Sequence, residues 1–462
     1  MTDHYTFRFY NSLTRQKEAF VPLEKDHVRI YACGPTVYSY AHIGNARMAV
    51  VFDLLARVMR SLYQKVTYVS NITDIEDKII TAAREAGEGI EFVTRKYERI
   101  YNEDMATLGV ALPDIQPRAT ETIPEMISLI ENMIQRGHAY EKDGHILFNV
   151  PSFPEYGGLS GRSRDDQIAG ARVEVAPYKK DPADFVLWKP STPDQPGWNS
   201  PWGFGRPGWH IECSAMAEKH LGLPIDIHGG GADLKFPHHE NEIAQSCCAH
   251  GSHDLASFSK YWIHNGFLTV EGEKMSKSLG NFILAHDLIE QGISGEVIRF
   301  VLLSAHYRQP LDWSENGVAM AHKSLDKFYR ILDELSDVAN IDVKIPSSLI
   351  EALCDDLNSP KAYAELNSLA KAAADQKTPE SKAAFVAGAR LMGFLNQTPA
   401  EWFGEATQSA DIDTMWVEGL LLERTKARAN KNFARSDEIR DELAAKGIVI
   451  EDSPQGSKWK LG

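Results

Sequence analysis

Residues 27–50 read HVRIYACGPTVYSYAHIGNARMAV, and this stretch decides the fold. The run HVRIYA is dominated by apolar and β-branched residues at a strand's length, and Gly34-Pro35 then breaks it. From Ile43 onward, Ile43, Val50, Val51, Leu54, Leu55, Val58 and Leu62 recur at helical spacing. The pattern is strand, loop, helix. KVTYVSN (65–71) predicts a second strand, and DIEDKIITAAREAG (74–87) a second helix closed by Gly87. Parallel strands joined by helices make an α/β sheet whose ligand site lies beyond the strand C-termini, so residues 33–45 fall at the expected site.

Outward from there, the pattern changes near Thr120 to a helix, the short strands HILFNV and DFVLWK, and a stretch dense in Pro, Gly and Trp, KPSTPDQPGWNSPWGFGRPGW. This reads as an insertion over 120–206 that splits the sheet domain into 1–119 and 207–258. The resumed half offers a helix over HIECSAMAEKHLG, a strand PIDIH, the loop GGGAD and a helix over HHENEIAQSCCAHG. A region 259–312 carries VEGEKMSKSLGN, 313–396 is helical, and 397–462 forms a C-terminal module with one helix over about 417–446 and an extended tail.

Composition bounds the function. With 462 residues, 43% hydrophobic and 24% charged, the chain has room for several cores and is neither disordered nor fibrous. No apolar run approaches the roughly 18 residues a membrane span needs, and MTDHYTFRFYNSL has no leader pattern, so a cytoplasmic protein without a membrane partner is expected. Five cysteines without regular spacing make no disulfide framework; each packs, reacts or holds a metal. A formal charge of -15 argues against non-specific nucleic-acid binding but leaves room for a local basic surface.

Three groups of residues carry chemistry. A helix start at His42-Ile-Gly-Asn45 offers N–H groups and a positive dipole end to phosphate, Gly44 permits close approach, and His42 and Asn45 add side-chain donors. On these four residues alone, a capped helix with a surface histidine is the simpler reading. Lys274 and Lys277 in KMSKS can clamp a triphosphate, or merely solvate a loop; the chain has no GxxxxGK[ST], so any ATP is not held by a P-loop. Cys33, Cys213 and the pair His238 and Glu242, spaced i,i+4, form a chemically sound Zn²⁺ set, although lone cysteines more often pack. Cys247, Cys248 and Cys354 read as packing. HHENE lacks H-E-x-x-H spacing and HGGG lacks a G-x-S-x-G partner, which disfavours a zinc hydrolase and an α/β hydrolase.

HIGN after a first strand with KMSKS some 230 residues later resembles the class I aminoacyl-tRNA synthetases, with Asn45 where the HIGH element has its second histidine. CGPTVYSYAHIGNAR, NITDIEDKI, GRPGWHIECSAM, DIHGGGADLKFPHHENEIAQS, EKMSKSLGNF and IEDSPQG together are similar to the cysteinyl-tRNA synthetases over nearly the whole chain. The resemblance implies a Rossmann-type parallel-sheet catalytic domain with a connective insertion, a KMSKS-bearing stem-contact region, a helical bundle and a small anticodon-binding module. It implies activation of L-cysteine with ATP and Mg²⁺ to cysteinyl-adenylate, then transfer to the terminal 2′-hydroxyl of tRNA(Cys).

By the same resemblance His42, Asn45, Lys274 and Lys277 serve the phosphates. Gly44, Gly229, Gly230, Gly231, Asp233 and Lys277 serve ATP, with His228 near the adenosine. Thr73 and Trp209 surround the amino acid, and one zinc ion sits on Cys33, Cys213, His238 and Glu242. For Trp209 core packing, and for Asp233 a helix cap, stay open as alternatives. The implied anticodon contacts are Arg428, Asp437 and Asp452, in a stretch from Arg424 to Lys460 with nine Lys and Arg against six Asp and Glu and with Phe433 and Trp459 for stacking. A monomer is expected. The ligase that joins cysteine to an amino sugar in mycothiol synthesis shares the catalytic core, but would have no use for that module.

Overall fold

The computed structural model describes residues 5–163, 165–166, 176–276, 279–404, 414–429, 432–444, 448–453 and 456–461. Four strands, His27–Ala32 (β1), Lys65–Ser70 (β2), Ile225–Gly231 (β3) and Ser259–Asn265 (β4), form one sheet in the order β4-β3-β1-β2, every neighbouring pair parallel. Ile30 stands opposite both Tyr68 and Ile227, which sets the strands in register across the centre. The helix Ile43–Leu62 (α1) follows β1, with Ile43, Ala46, Val50, Val51, Leu54, Leu55 and Val58 among its buried residues. A strand buried on both faces and a helix apolar along most of its surface need each other's cover. The helix Asp77–Ala86 ends as expected at Gly87, whose φ of 68° is the left-handed conformation that glycine adopts without strain.

Between β2 and β3 the chain builds a separate layer: the helix Ile123–Gln135 and a five-stranded antiparallel sheet from strands within 139–207. The sheet domain then resumes with the helix Trp209–Leu221 (α2), β3 and the helix Glu240–His250 (α3). Tyr31, Val69, Met126, Ile130, Phe148, Ile211, Met216, Ile225 and Trp262 belong to one continuous core, so insertion and sheet share their apolar interior. Beyond β4, Leu268–Val270 pairs with Glu273–Lys274 and with Leu311–Trp313, a third small sheet that helical periodicity alone does not foretell.

Two compact units emerge. One comprises Met1–Phe328 and Asp337–Phe394, the other Tyr329–Ser336 and Leu395–Gly462. The helices Ser347–Cys354, Ser359–Gln376 and Pro379–Leu391 of the expected bundle thus fall in the unit that holds the sheet. In the second unit the single helix expected over 417–446 is two, Thr414–Ala429 and Phe433–Ala444. Asn432 explains the break: its side chain accepts from the Arg435 N–H, an N-cap that starts a new helix. The extended tail is a hairpin, Ile448–Ser453 against Gly456–Leu461.

Candidate functional site

The loop after β1 crosses to the loop after β2. Asn71 is fully buried, and its Oδ1 accepts from the Gly34 N–H (2.9 Å) and the Tyr31 hydroxyl (3.1 Å) while its amide donates to the Thr73 hydroxyl (3.2 Å). A Cβ at Gly34 would stand 1.6 Å from the Asn71 carbonyl oxygen, so only glycine lets the chain pass. Cys33 is thereby held at the end of its strand, its N–H on the Gly229 carbonyl of β3 at 3.1 Å.

Around Cys33 two overlapping sets converge: Cys33, Cys213, His238 and Glu242, and Cys33, His228, His239 and Glu242. Within each set all ligand atoms lie within 4.8 Å of one another, and every residue is buried. The Cys33 and Cys213 sulfurs are 3.8 Å apart as free thiols, Cys33 Sγ is 3.6 Å from Glu242 Oε1, and His238 Nε2 is 3.1 Å from the same oxygen. Two thiolates about 2.3 Å from one tetrahedral ion stand about 3.8 Å apart, so the donor set fits zinc. Glu242 Oε2 is buried without a well-formed hydrogen bond among the described residues, its near neighbour being His228 Nε2 at 3.2 Å, which leaves a lone pair available to a metal.

Electrostatics agree with that reading. Burial pushes the Cys33 thiol far above its ordinary value, with Cys213 and Glu242 adding to the rise. For Cys213 the Cys33 hydrogen bond pulls down, but burial and the Glu242 charge outweigh it and the thiol rises. Burial, followed by the neighbouring His210 and His228, pushes His238 well below 6.5, so its imidazole is neutral and has a lone pair to give. The outer ring nitrogen, Nδ1, lies 2.9 Å from His210 Nδ1, which orients the ring.

Some placements differ from expectation. His238 is not in a regular helix with Glu242: it sits in the turn Lys235–His239, where Phe236 is extended, and α3 starts only at Glu240. His228, expected near adenosine, has its Nε2 3.7 Å from Cys33 Sγ and its ring stacked on Tyr31. His239 lies 3.4 Å from Cys33 Sγ and leans through Nδ1 on His264 at 2.8 Å, which leans on the Ser12 hydroxyl at 2.8 Å. Neither His228 nor His239 was among the expected ligands. The adjacent pair in PHHENE and the histidine of DIHGGG were the available signals, but which ring faces the thiols depends on the turn.

Trp209 is 37% exposed and stacks on His238 with ring centroids 4.2 Å apart, so it walls the site and is not core. Thr73 is buried and bonded to the Cys33 loop through its backbone, Thr73 N–H to the Pro35 carbonyl at 3.0 Å. Gly229 to Gly231 do not lie at a sheet edge, because β3 is interior; a Cβ at Gly229 would meet the Ile263 carbonyl oxygen at 2.1 Å. Asp233 is exposed, its carboxylate folded over Gly231, and it caps no helix.

At α1 the first turn is already satisfied. His42 Nδ1 accepts from the N–H groups of Gly44 (3.1 Å) and Asn45 (3.3 Å), Ile43 N–H donates to the Ile283 carbonyl, and Ala46 N–H to the His42 carbonyl. The helix start therefore offers phosphate no free backbone N–H. Because Nδ1 accepts, the ring proton of His42 sits on Nε2. The KMSKS segment comes close: Met275 Cε lies 3.9 Å from where a Gly44 Cβ would be, and the His42 ring contacts Phe282 edge-on at 5.3 Å. Lys274 is exposed, with Asn281 bracing its carbonyl and the Ser276 N–H; Lys277 lies outside the described residues.

In the second unit Arg428 and Asp437 are exposed on their helices, Asp437 paired with Arg440 at 3.3 Å. Asp452 lies in the hairpin opposite Ser457, and its side chain, like those of Phe433 and Trp459, is outside the described residues.

Against known proteins, residues 19–323 match the family model described as tRNA synthetases class I (C) catalytic domain, 348–403 the DALR domain, and 416–459 the cysteinyl-tRNA ligase anticodon binding domain. The cysteine–tRNA ligase of Parvibaculum lavamentivorans is 60% identical over 98% of this chain and 97% of its own length, and that of Rhodospirillum rubrum 53% identical over 98% and 99%. Among solved structures, a Mycobacterium tuberculosis methionyl-tRNA synthetase with methionyl-adenylate covers 82% of this chain and 93% of its own at a TM-score of 0.54. An Agrobacterium radiobacter leucyl-tRNA synthetase complex covers 83% and 86% at 0.57. At 13% and 12% identity these two speak to the fold alone.

Proposed function

The chain belongs to the cysteine–tRNA ligases, a family of class I aminoacyl-tRNA synthetases, and from that premise we propose how its residues divide the work. Its activity is ATP-dependent ligation of cysteine to tRNA. The observation that carries the assignment of residues is the buried cluster at Cys33, on the same loop that leads into His42–Asn45.

Cys33, Cys213, His238 and Glu242 would hold one zinc ion, which when bound supplies a Lewis-acidic seat for the substrate's thiolate. A purely apolar pocket separates side chains differing by one small group by only about 1 to 3 kcal/mol, so selection of cysteine over serine and alanine rests on this donor set. Trp209 closes the site over His238, and Thr73, fixed by Asn71 and Pro35, forms its floor. The cysteine carboxylate attacks the α-phosphate of Mg-ATP, breaking the bond to pyrophosphate, and the terminal 2′-hydroxyl of tRNA(Cys) then displaces AMP. No side-chain nucleophile takes part; His42 Nε2–H, Asn45, Lys274 and Lys277 stabilise the charge that moves onto the leaving phosphates. Gly44, Gly229, Gly230, Gly231 and Asp233 border the nucleotide, and Arg428, Asp437 and Asp452 read the anticodon.

The domain division follows: sheet domain 1–119 and 207–258, insertion 120–206, stem-contact region 259–312, bundle 313–396 and anticodon module 397–462. Among the described residues no helix is long and apolar enough to cross a membrane.

The test is amino-acid-dependent ATP–pyrophosphate exchange with cysteine, serine and alanine, before and after removal of zinc by a chelator. Exchange specific to cysteine and lost with the metal is expected. Exchange that persists undiminished in demonstrably zinc-free protein would overturn the role given to the cluster.

A further inference from the structure

Arg47, two residues beyond Asn45, is fully buried in α1. Its acceptors are four main-chain carbonyls: Nη1 donates to Gly266 (2.7 Å) and Phe267 (2.8 Å), Nη2 to Gln309 (2.8 Å) and His306 (3.4 Å). These belong to the root of the hairpin that leads to Lys274. Gly266 N–H is bonded to the Tyr307 carbonyl, Leu311 N–H to the Phe267 carbonyl, and Leu268–Val270 then pairs with Glu273–Lys274. The returning arm of the same segment is tied to the other side of the HIGN turn, Ile43 N–H to the Ile283 carbonyl at 3.0 Å and Ala285 N–H to the Ala41 carbonyl at 2.9 Å. Residues 41–47 thus grip the lysine-bearing segment at both ends.

A buried cation with no carboxylate paired to it among the described residues is a poor choice for stability alone. Burial lowers its guanidinium to about 10, still charged at neutral pH. What it offers is geometry: a rigid planar fork reaches four acceptors on two chain segments, which the point charge of lysine does not.

We propose that Arg47 is a positioning residue for adenylate formation, holding the Lys274 hairpin in register with His42 and Asn45 through the carbonyls of Gly266, Phe267, His306 and Gln309. This rests on the function proposed above. Arg47 touches neither substrate nor metal. Its loss therefore acts on the phosphate end of the reaction and leaves the cysteine end intact.

The experiment is steady-state pyrophosphate exchange on full-length Arg47→Lys and Arg47→Met, with active sites counted by cysteine binding and zinc content. The expected order of kcat is wild type, then Lys, then Met, with a loss on the order of 100-fold for Met, the usual cost of misplacing reacting groups by about 1 Å. KM for cysteine and zinc per chain stay within about twofold, since neither depends on charge transfer in the transition state. Gly266→Ala probes the same link without removing the charge: its Cβ would meet the Gln309 carbonyl oxygen at 2.4 Å and push it off the guanidinium, and the same kcat-selective loss is expected. Unchanged kcat in folded variants would overturn the proposal. So would kcat, cysteine binding and zinc content falling together, the mark of a purely structural role. A wild-type chain without cysteine-dependent exchange would instead remove the reading on which it rests.

Discussion

Cys213→Ser keeps the size of a ligand side chain and removes its soft donor, which makes it the sharpest probe of a single residue. Zinc affinity should fall by at least the about 10-fold that loss of a mere outer partner costs, because serine is a weak, high-pKa ligand, so zinc per chain should fall when a competing chelator limits free zinc. The fold should survive, since Cys213 sits in a core shared with Cys33, Ile211, Met216 and Ile243. Metal analysis alongside a melting curve checks this, and full zinc occupancy in the variant under that competition would remove Cys213 from the set. At this scale the residue types were legible as a chemically sound metal set, but their spacing did not single them out; the family resemblance did. Their company was not legible. His228 reaches Cys33 from β3, in register with Tyr31, and His239 reaches it past the extended Phe236 that turns the chain ahead of Glu240; strand pairing and backbone angles at one residue leave no periodic trace. His42 shows the converse: the capping reading is the one the geometry carries, with Nδ1 accepting from the Gly44 and Asn45 N–H groups, while its service to phosphate stays part of the proposal.

Elements add what single residues lack, a fixed spacing between two loops. Behind the returning arm of the KMSKS segment, His286 on the helix Ala285–Glu290 accepts its place from Asp104 on Ile90–Thr107, Nδ1 to Oδ1 2.9 Å, and stacks on Tyr40 with centroids 4.5 Å apart. The hydrogen bond to Asp104 lifts the imidazole above its ordinary 6.5 against a smaller opposing effect of burial, with Glu290 and Asp287 adding to the rise. A raised folded-state value means the protonated form is favoured by folding. The pair's contribution is full below about pH 6.5 and lost as pH rises through the raised value. The melting temperature of His286→Gln should therefore fall further below wild type at about pH 6 than at about pH 8; a gap that widens with pH would contradict the pairing. Elements were mostly legible because apolar spacing and glycine stops are local. The two helices read as one over 417–446 were not, because the stop is an Asn432 cap with no proline or glycine to announce it. The short strand Leu311–Trp313 was lost for a related reason, since it is made by its partner Leu268–Val270 and not by its own three residues.

Across the molecule, one buried network ties the sheet domain to the helices that follow. Asp53 on α1 accepts from Arg299 Nη2 at 2.6 Å, Arg57 Nε at 2.7 Å and the Ala111 N–H at 3.0 Å, while Arg299 Nε donates to the Met392 carbonyl at 2.7 Å. Arg299→Met removes the fully buried partner of that carboxylate but leaves Arg57 and the Ala111 N–H on it, so a cost below the about 3 to 5 kcal/mol of a charge left uncompensated is expected, read as a lowered urea midpoint. The second unit calls for a different readout, because it is compact in its own right and carries the matched anticodon binding domain. The chain's charge of -15 repels RNA at long range, so affinity has to come from short-range contacts on the stretch with nine basic against six acidic residues. Arg428→Ala, at an exposed position, should raise KM for tRNA by the equivalent of about 1 to 3 kcal/mol, the worth of one good base contact, and leave cysteine-dependent pyrophosphate exchange unchanged. On the proposed division of work, exchange should need only the unit that holds Cys33, His42 and Lys274, and charging both. Parallel losses in exchange and charging would mean that Arg428 acts on the folding of the chain and not on RNA. A loss in charging that disappears when the anticodon bases of the tRNA are replaced would place the contact where the family match puts it.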